Sequence, residues 1–229
     1  MNKNDIEICA STIQSAVNAK AGGATRIEIC DNLEGGGTTP SYATIEYCIN
    51  ELGLETNVLV RPRAGDFFYS EEEFAVICKD VEMCKQLGAN SVVVGFLKEN
   101  GELDTERLEK VVKIAQPMKV VCHRSFDACT NKEKAIEQII KAGCSKVLTS
   151  GGAPTSEEGI EGLAKIVKQV NERIGVIAAS GVTSDNVVKI IKESGIKEVH
   201  SPCKVLIDNY SLTSAKEVEK FIHVVSNLK

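Results

Sequence analysis

Apolar and polar positions along this chain repeat one unit from end to end. A short run rich in β-branched and other apolar residues gives way to a polar or glycine-bearing turn. Then comes a segment whose apolar positions recur every three to four residues. Short apolar or alternating runs mark strands, and the three-to-four spacing marks one face of a helix. The spacing predicts strands over residues 5–9, 25–30, 56–61, 91–96, 118–123, 145–149, 174–179 and 197–200. It predicts helices over 11–21, 41–52, 71–87, 104–116, 132–142, 156–172, 184–194 and 214–228.

Helix starts carry their own chemistry. Ser70 with Glu73 has the form of a capping box, and Phe74, Ile77, Val81 and Cys84 follow at helical spacing. Ser11 with Gln14, Thr155 with Glu158, and Ser214 with Glu217 repeat the scheme, and Asp104 and Ser184 are candidate N-caps. Gly23, Gly88, Gly143 and Gly195 stand where a left-handed residue would end a helix before the next strand.

Eight alternations of strand and helix, with no linker or low-complexity tract, predict a closed (β/α)8 TIM barrel forming a single domain over residues 1–229. A doubly wound dinucleotide fold would place a glycine-rich fingerprint after the first strand, where this chain has Cys9-Ala10-Ser11. Gly35-Gly36-Gly37 follows the second strand without a further glycine at the required spacing, and reads as a structural turn.

Within this pattern the tetrapeptide Ile-Glu-Ile-Cys occurs twice, at 6–9 and 27–30. On a strand its isoleucines share one face, and the glutamate and cysteine share the other. Helices cover the outside of a parallel barrel, so Glu7, Glu28, Cys9 and Cys30 are expected to point inward. A buried glutamate costs several kcal/mol unless it is paired or serves a polar site, so two at matched positions need a reason.

Composition narrows the partners. With 43% apolar and 26% charged residues the chain reads as an ordinary soluble globular protein. A net charge of -5 offers no basic footprint for nucleic acid. No run approaches the roughly 20 apolar residues of a membrane span, and Met-Asn-Lys-Asn-Asp leads into a strand rather than a signal-peptide core. A cytoplasmic protein is expected. The nine cysteines are odd in number and contain no Cys-x-x-Cys pair, which favours free thiols, most of them packing as small hydrophobes.

In a (β/α)8 barrel the chemistry lies at the carboxyl ends of the strands. Glu7, Glu28, Arg61, Arg63, His123, Arg124, Ser150, Ser180 and His200 all fall in such positions. Lys119, Lys146 and Lys197 instead begin strands and Lys204 lies past the eighth, which argues against a Schiff-base lysine. Two acids facing arginines compensate one another, and the guanidinium fork suits a carboxylate or phosphate. A structural ion-pair network plugging the barrel top is the alternative for the same residues.

Glu28, His123 and Asp127 are the candidate catalytic acids and bases. Glu7, Arg61, Arg63, Arg124, Ser150, Gly151, Ser180 and His200 are the candidate substrate-binding residues. The Ser150-Gly151 and Ser180-Gly181 turns precede helices and offer backbone N–H groups to an anion, although such turns are common without a ligand. Phe67, Phe68 and Tyr69 form a lid, a subunit contact or simple packing over the mouth. Cys9 and Cys30 are candidate soft ligands for Cu(I), with two buried free thiols as the alternative.

Several of these segments together resemble the CutC family. They are Arg26 to Cys30, Glu34 to Ser41, Arg61-Pro62-Arg63-Ala64-Gly65-Asp66-Phe67-Phe68-Tyr69-Ser70, Cys122-His123-Arg124-Ser125-Phe126-Asp127, and Leu148 to Gly152. Ser125 stands where that family commonly has alanine. The resemblance implies a cytoplasmic (β/α)8 barrel, assembly as a homo-oligomer, and a role in copper tolerance or trafficking, with copper as a ligand. Two functions are therefore expected as alternatives. One is copper homeostasis with a barrel-mouth site for an anionic small molecule. The other is an enzyme acting on a sugar-like or phosphorylated metabolite by acid/base catalysis.

Overall fold

A computed structural model of the chain describes residues 5–207 and 210–228. The first half alternates β1 (Ile6–Ala10), α1 (Ile13–Ala21), β2 (Arg26–Ile29), α2 (Tyr42–Glu46), β3 (Glu55–Leu59), α3 (Glu71–Leu87), β4 (Ser91–Val94) and α4 (Thr105–Ala115). The second half continues with β5 (Lys119–Cys122), α5 (Lys132–Ala142), β6 (Lys146–Thr149), α6 (Ile160–Val170), β7 (Gly175–Ala178), α7 (Val187–Ser194) and β8 (Glu198–Ser201). A hairpin of β9 (Lys204–Ile207) and β10 (Tyr210–Thr213) precedes α8 (Ala215–Ser226). Strands β1 to β8 pair in parallel in chain order, and β8 closes on β1 with Glu7 opposite His200.

The closed sheet divides the apolar residues into two cores. Ile6, Ile8, Ile27 and Ile29 face outward into the large core between sheet and helices. Cys9, Cys30, Leu59, Val93, Val121, Leu148, Ile177 and Ala179 fill the barrel interior. Side-chain alternation therefore sets Glu28 and Cys9 inside, where β1 pairs Cys9 with Glu28 of β2.

Three helices, α3, α4 and α8, start where the caps predict. Ser70 and Glu73 form the full capping box of α3, and Ser214 caps α8. Three starts differ. Thr12 rather than Ser11 caps α1. The Thr155 hydroxyl accepts from the Glu158 N–H, but the regular helix begins only at Ile160. Gly159 explains the delay, because its backbone presses on the loop after β6, where a Cβ would lie 1.8 Å from the Ser150 carbonyl oxygen. Ser184 is passed over as well, and α7 starts at Val187. The expected helix over 41–52 ends its regular part at Glu46 and widens into a π turn over Tyr47–Glu51. The β9–β10 hairpin went unforeseen because its two short runs lie outside the strand-helix repeat. No helix among the described residues is long and apolar enough to cross a membrane.

Candidate functional site

A cavity of about 1030 Å3 opens at the carboxyl ends of the barrel strands. Its floor is made by Cys9, Glu28, Cys30 and His200, from β1, β2 and β8. Cys9 Sγ lies 3.9 Å from Glu28 Oε2 and 3.9 Å from Cys30 Sγ. His200 Nε2 is 3.8 Å from Glu28 Oε2.

Glu7 sits one layer below this floor and does not line the cavity, contrary to its expected place at the mouth. It is a support. Its carboxylate accepts from Asn57 Nδ2 at 2.5 Å and from His200 Nδ1 at 2.8 Å, and lies 3.4 Å from Arg26 Nε. Arg26 also pairs with Glu198 at 2.8 Å, which ties the floor to the amino-terminal end of the barrel. Burial would push the Glu7 carboxyl up, but His200, Arg26 and Asn57 outweigh it and hold it at about 2. Burial also acts on Glu28, and there it prevails. With Glu7's negative charge adding to it and His200 opposing, the Glu28 carboxyl rises to about 7. Burial lowers His200, yet the charges of Glu28 and Glu7 carry it above its ordinary value.

The opposite flank is positive. Arg61 lines the cavity from just past β3 and is 3% exposed. Its Nη1 donates to the carbonyls of Gly35 at 3.1 Å and Gly37 at 2.9 Å, and its Nη2 to Gly65 at 2.6 Å. The glycine loop that reads as a plain turn is thus the cradle of this guanidinium. Gly37, at φ +88°, would bring a Cβ within 2.4 Å of Leu59. No carboxylate lies within 4.0 Å of Arg61 among the described residues, and its Nε is buried without an acceptor. Phe67 packs its ring 4.9 Å from the guanidinium carbon and 4.9 Å from the His123 ring.

His123 is buried beside Arg61. Its Nδ1 accepts from the Ser125 N–H at 3.1 Å, so the ring proton resides on Nε2, which has no acceptor in the protein. Burial, then the charges of Arg61 and Arg124, push its pKa down to about 3. The unfolded chain, with an ordinary value of 6.5, therefore binds this proton more readily than the folded one. The resulting stability is complete above pH 6.5 and drains away as pH falls toward 3. We expect about 2 kcal/mol of this loss by pH 5, and His123→Gln should flatten the slope in urea titrations run between those limits.

Several expected site residues belong elsewhere. Arg63, half-exposed, turns away from the cavity and clasps Glu73 at 2.5 Å, Asp66 at 2.9 Å and the Phe68 carbonyl at 2.8 Å. Asp127 borders the cavity, but its carboxylate is consumed by the loop after β6. It accepts from Thr149 Oγ1 at 2.5 Å and from the N–H groups of Ser150 and Gly152, each at 3.0 Å, and it pairs with Arg124 at 3.1 Å. An acid held by so many donors organises a loop and has no lone pair left for a substrate proton. Ser150 and Gly151 do not line the cavity. The Ser150 hydroxyl bonds Asp127 and the Ala153 carbonyl, and Gly151 packs under Gly159. Gly152, Ala153 and Pro154 form the wall in their place.

Arg124, Ser180, His123, Glu28, His200, Cys9 and Cys30 do reach the cavity together with Arg61. Ser180, at φ +82°, donates its hydroxyl to the Pro154 carbonyl at 2.9 Å. Asn57 went unnoticed in the sequence, although strand parity beside Glu28 places it inside the barrel. Lys204 and Cys203, on the lip near the hairpin, gave no local signal.

All nine cysteines are free. Cys9 is pushed well above the ordinary thiol range by its contact with Cys30, by burial and by the nearby carboxylates. Thiol titration of the denatured, unreduced protein should therefore count nine groups, and a count of seven would mean that a disulfide has formed.

Comparison with known proteins bears on this geometry. The sequence profile of the CutC family matches residues 4–205. A CutC protein of Parabacteroides distasonis is 41% identical over 206 residues, covering 90% of this chain and 85% of its own. One from Vibrio campbellii is 39% identical over 231 residues, covering 97% and 94%. The crystal structure of the putative copper homeostasis protein CutC from Streptococcus agalactiae superposes with a TM-score of 0.82 at 31% identity, covering 86% of this chain and 97% of that one. Thiamine phosphate pyrophosphorylase from Pyrococcus furiosus, at 18% identity and a TM-score of 0.65 over 98% of this chain and 96% of its own, shares the fold alone.

Proposed function

The chain belongs to the CutC family, and from that premise we propose that it serves copper homeostasis through a barrel-mouth site that binds an anionic small molecule. One observation carries the reading. Arg61 holds a buried positive charge on the cavity wall with no acidic partner among the described residues. A buried charge without a counter-ion costs several kcal/mol, and a bound carboxylate or phosphate offsets that cost. His123 adds a neutral N–H donor to the same flank, and Arg124 adds a second, half-exposed cation. The test is a thermal-shift panel of small phosphorylated and carboxylated metabolites against the purified protein. At least one is expected to raise the melting temperature in a saturable way, and a panel without effect would count against the proposal.

A second reading is favoured by the 3.9 Å between the sulfurs of Cys9 and Cys30. Two buried thiols at that separation suit Cu(I), which prefers soft sulfur donors. Copper in this reading is cargo held on the cavity floor. Cu(I) titration of the parent and of Cys30→Ser decides it, since hydroxyl oxygen is a poor Cu(I) ligand and the variant should lose tight, one-to-one binding.

Free thiols suit a reducing compartment, so we place the protein in the cytoplasm. Assembly as a homo-oligomer draws support from the exposed apolar side chains of Leu206 and Tyr210 on the hairpin. The acid/base reading keeps Glu28 and His123 facing the cavity, and it loses Asp127 to the loop that Asp127 holds.

A further inference from the structure

Cys9, Glu28 and His200 stand on three consecutive strands around the barrel, β2, β1 and β8, and each brings one ligand-type atom to a common point. These atoms all lie within 4.8 Å of one another. Glu28 Oε2 is 3.9 Å from Cys9 Sγ and 3.8 Å from His200 Nε2. The carboxylate and the imidazole thus converge without reaching hydrogen-bond distance. Metal–ligand bonds of about 2.0–2.3 Å in a tetrahedral zinc site put neighbouring ligand atoms roughly 3.4–3.6 Å apart. The two Glu28 distances need a shift of a few tenths of an ångström, and the Cys9–His200 distance, within 4.8 Å, closes by about 1 Å at most.

The layer beneath fits the same purpose. Glu7 accepts a hydrogen bond from His200 Nδ1 at 2.8 Å, so Nε2 is the ring atom that faces Glu28 and would meet a metal. Glu7 is itself fixed by Asn57 and Arg26. A carboxylate behind a histidine is the usual support of a metal-bound imidazole, setting its tautomer and orientation.

We propose that Cys9, Glu28 and His200 bind a divalent cation of borderline softness, best matched by Zn(II), with a fourth coordination position open to the cavity. One thiolate, one imidazole and one carboxylate form a mixed set that zinc accepts and that hard ions such as Mg(II) or Ca(II) do not seek. On binding, the Cys9 thiol releases its proton to solvent. Three protein ligands with a fourth position open to a cavity are the pattern of zinc sites that admit water or substrate, unlike closed structural sites. The site goes beyond the anion reading and does not rest on it. It differs from a Cu(I) pair in using Glu28 and His200 and in leaving Cys30 out.

The test uses the full chain, stripped of metal, kept reduced, and held in a buffer free of phosphate, so that failure of the anion reading leaves the result untouched. Titration with Co(II) is expected to saturate at one equivalent, with a near-ultraviolet sulfur-to-cobalt band and the visible bands of four-coordinate cobalt. Zn(II) should bleach both. Cys9→Ser should abolish the near-ultraviolet band, and Glu28→Gln and His200→Gln should each weaken Zn(II) at least about tenfold. Cys30→Ser removes a neighbour of Cys9 and not a ligand, so it should keep the near-ultraviolet band and the one-to-one stoichiometry. Circular dichroism checks the fold of each variant, and if His200→Gln does not fold, Glu28→Gln decides. The proposal is overturned if the parent shows no saturable cobalt band, if Cys30→Ser loses it, or if Glu28→Gln binds Zn(II) like the parent.

Discussion

Replacing Arg61 by alanine is expected to abolish the stabilisation that an anionic ligand gives the parent protein. A ligand present at 100 times its dissociation constant stabilises a folded protein by about 2.7 kcal/mol, and this increment should vanish in the variant. The guanidinium is buried on the cavity wall with no carboxylate within 4.0 Å among the described residues, whereas the neighbouring Arg124 is half-exposed and already paired with Asp127. The variant should also lose about 2 kcal/mol without ligand, because the carbonyls of Gly35, Gly37 and Gly65 lose their donor. Relief of the buried charge offsets part of that. Arg61→Lys separates the two effects, since an ammonium keeps the charge but cannot span three carbonyls in a planar fork. Melting curves with and without ligand check both, and an undiminished ligand shift in Arg61→Ala would remove Arg61 from the site.

The second large effect falls on Glu7. Glu7→Gln keeps the shape but removes the charge that balances Arg26 and His200 beneath the floor. Breaking a buried pair from one side costs about 3–5 kcal/mol, and a loss of that order is expected in urea unfolding near pH 7. The titration of Glu7 points the same way. Its carboxyl sits at about 2 when folded against 4.5 ordinarily, so the folded state binds this proton less readily. Stability from this source is complete above pH 4.5 and is lost as pH falls toward 2. Over that window it amounts to roughly 3 kcal/mol. The exposed Glu34→Gln serves as a control. A loss below about 1 kcal/mol in Glu7→Gln would show that the network contributes little, as surface pairs do.

Strand parity and helix caps made much of the barrel legible in the sequence. Parity alone puts Cys9 and Glu28 inside and Ile8 and Ile27 under the helices, because each strand has two faces and the helices cover one. Past the end of a strand, parity no longer fixes where a side chain points. Arg61 and Arg63 both follow β3 across Pro62, yet one points into the cavity and the other to Glu73. What separates them is the glycine loop some 24 residues upstream, whose carbonyls capture Arg61. The contacts of Asp127 are hidden from the sequence for the same reason. Apart from Arg124, three residues before it, its partners lie at the end of β6 and on the loop after it, and nothing near residue 127 announces those. Gly159 delayed α6 through contact with a loop that local spacing cannot see. Periodicity is a local property, whereas the partner of a loop side chain is set by the closed barrel.

An anion is expected to meet Arg61 inside the barrel mouth. The most direct test is diffraction from crystals soaked with the metabolite that shifts the melting temperature most. The expected result is ligand density within the cavity, its anionic group within hydrogen-bond distance of the Arg61 guanidinium. Ligand bound only outside the mouth, or within it but away from Arg61, would contradict the account.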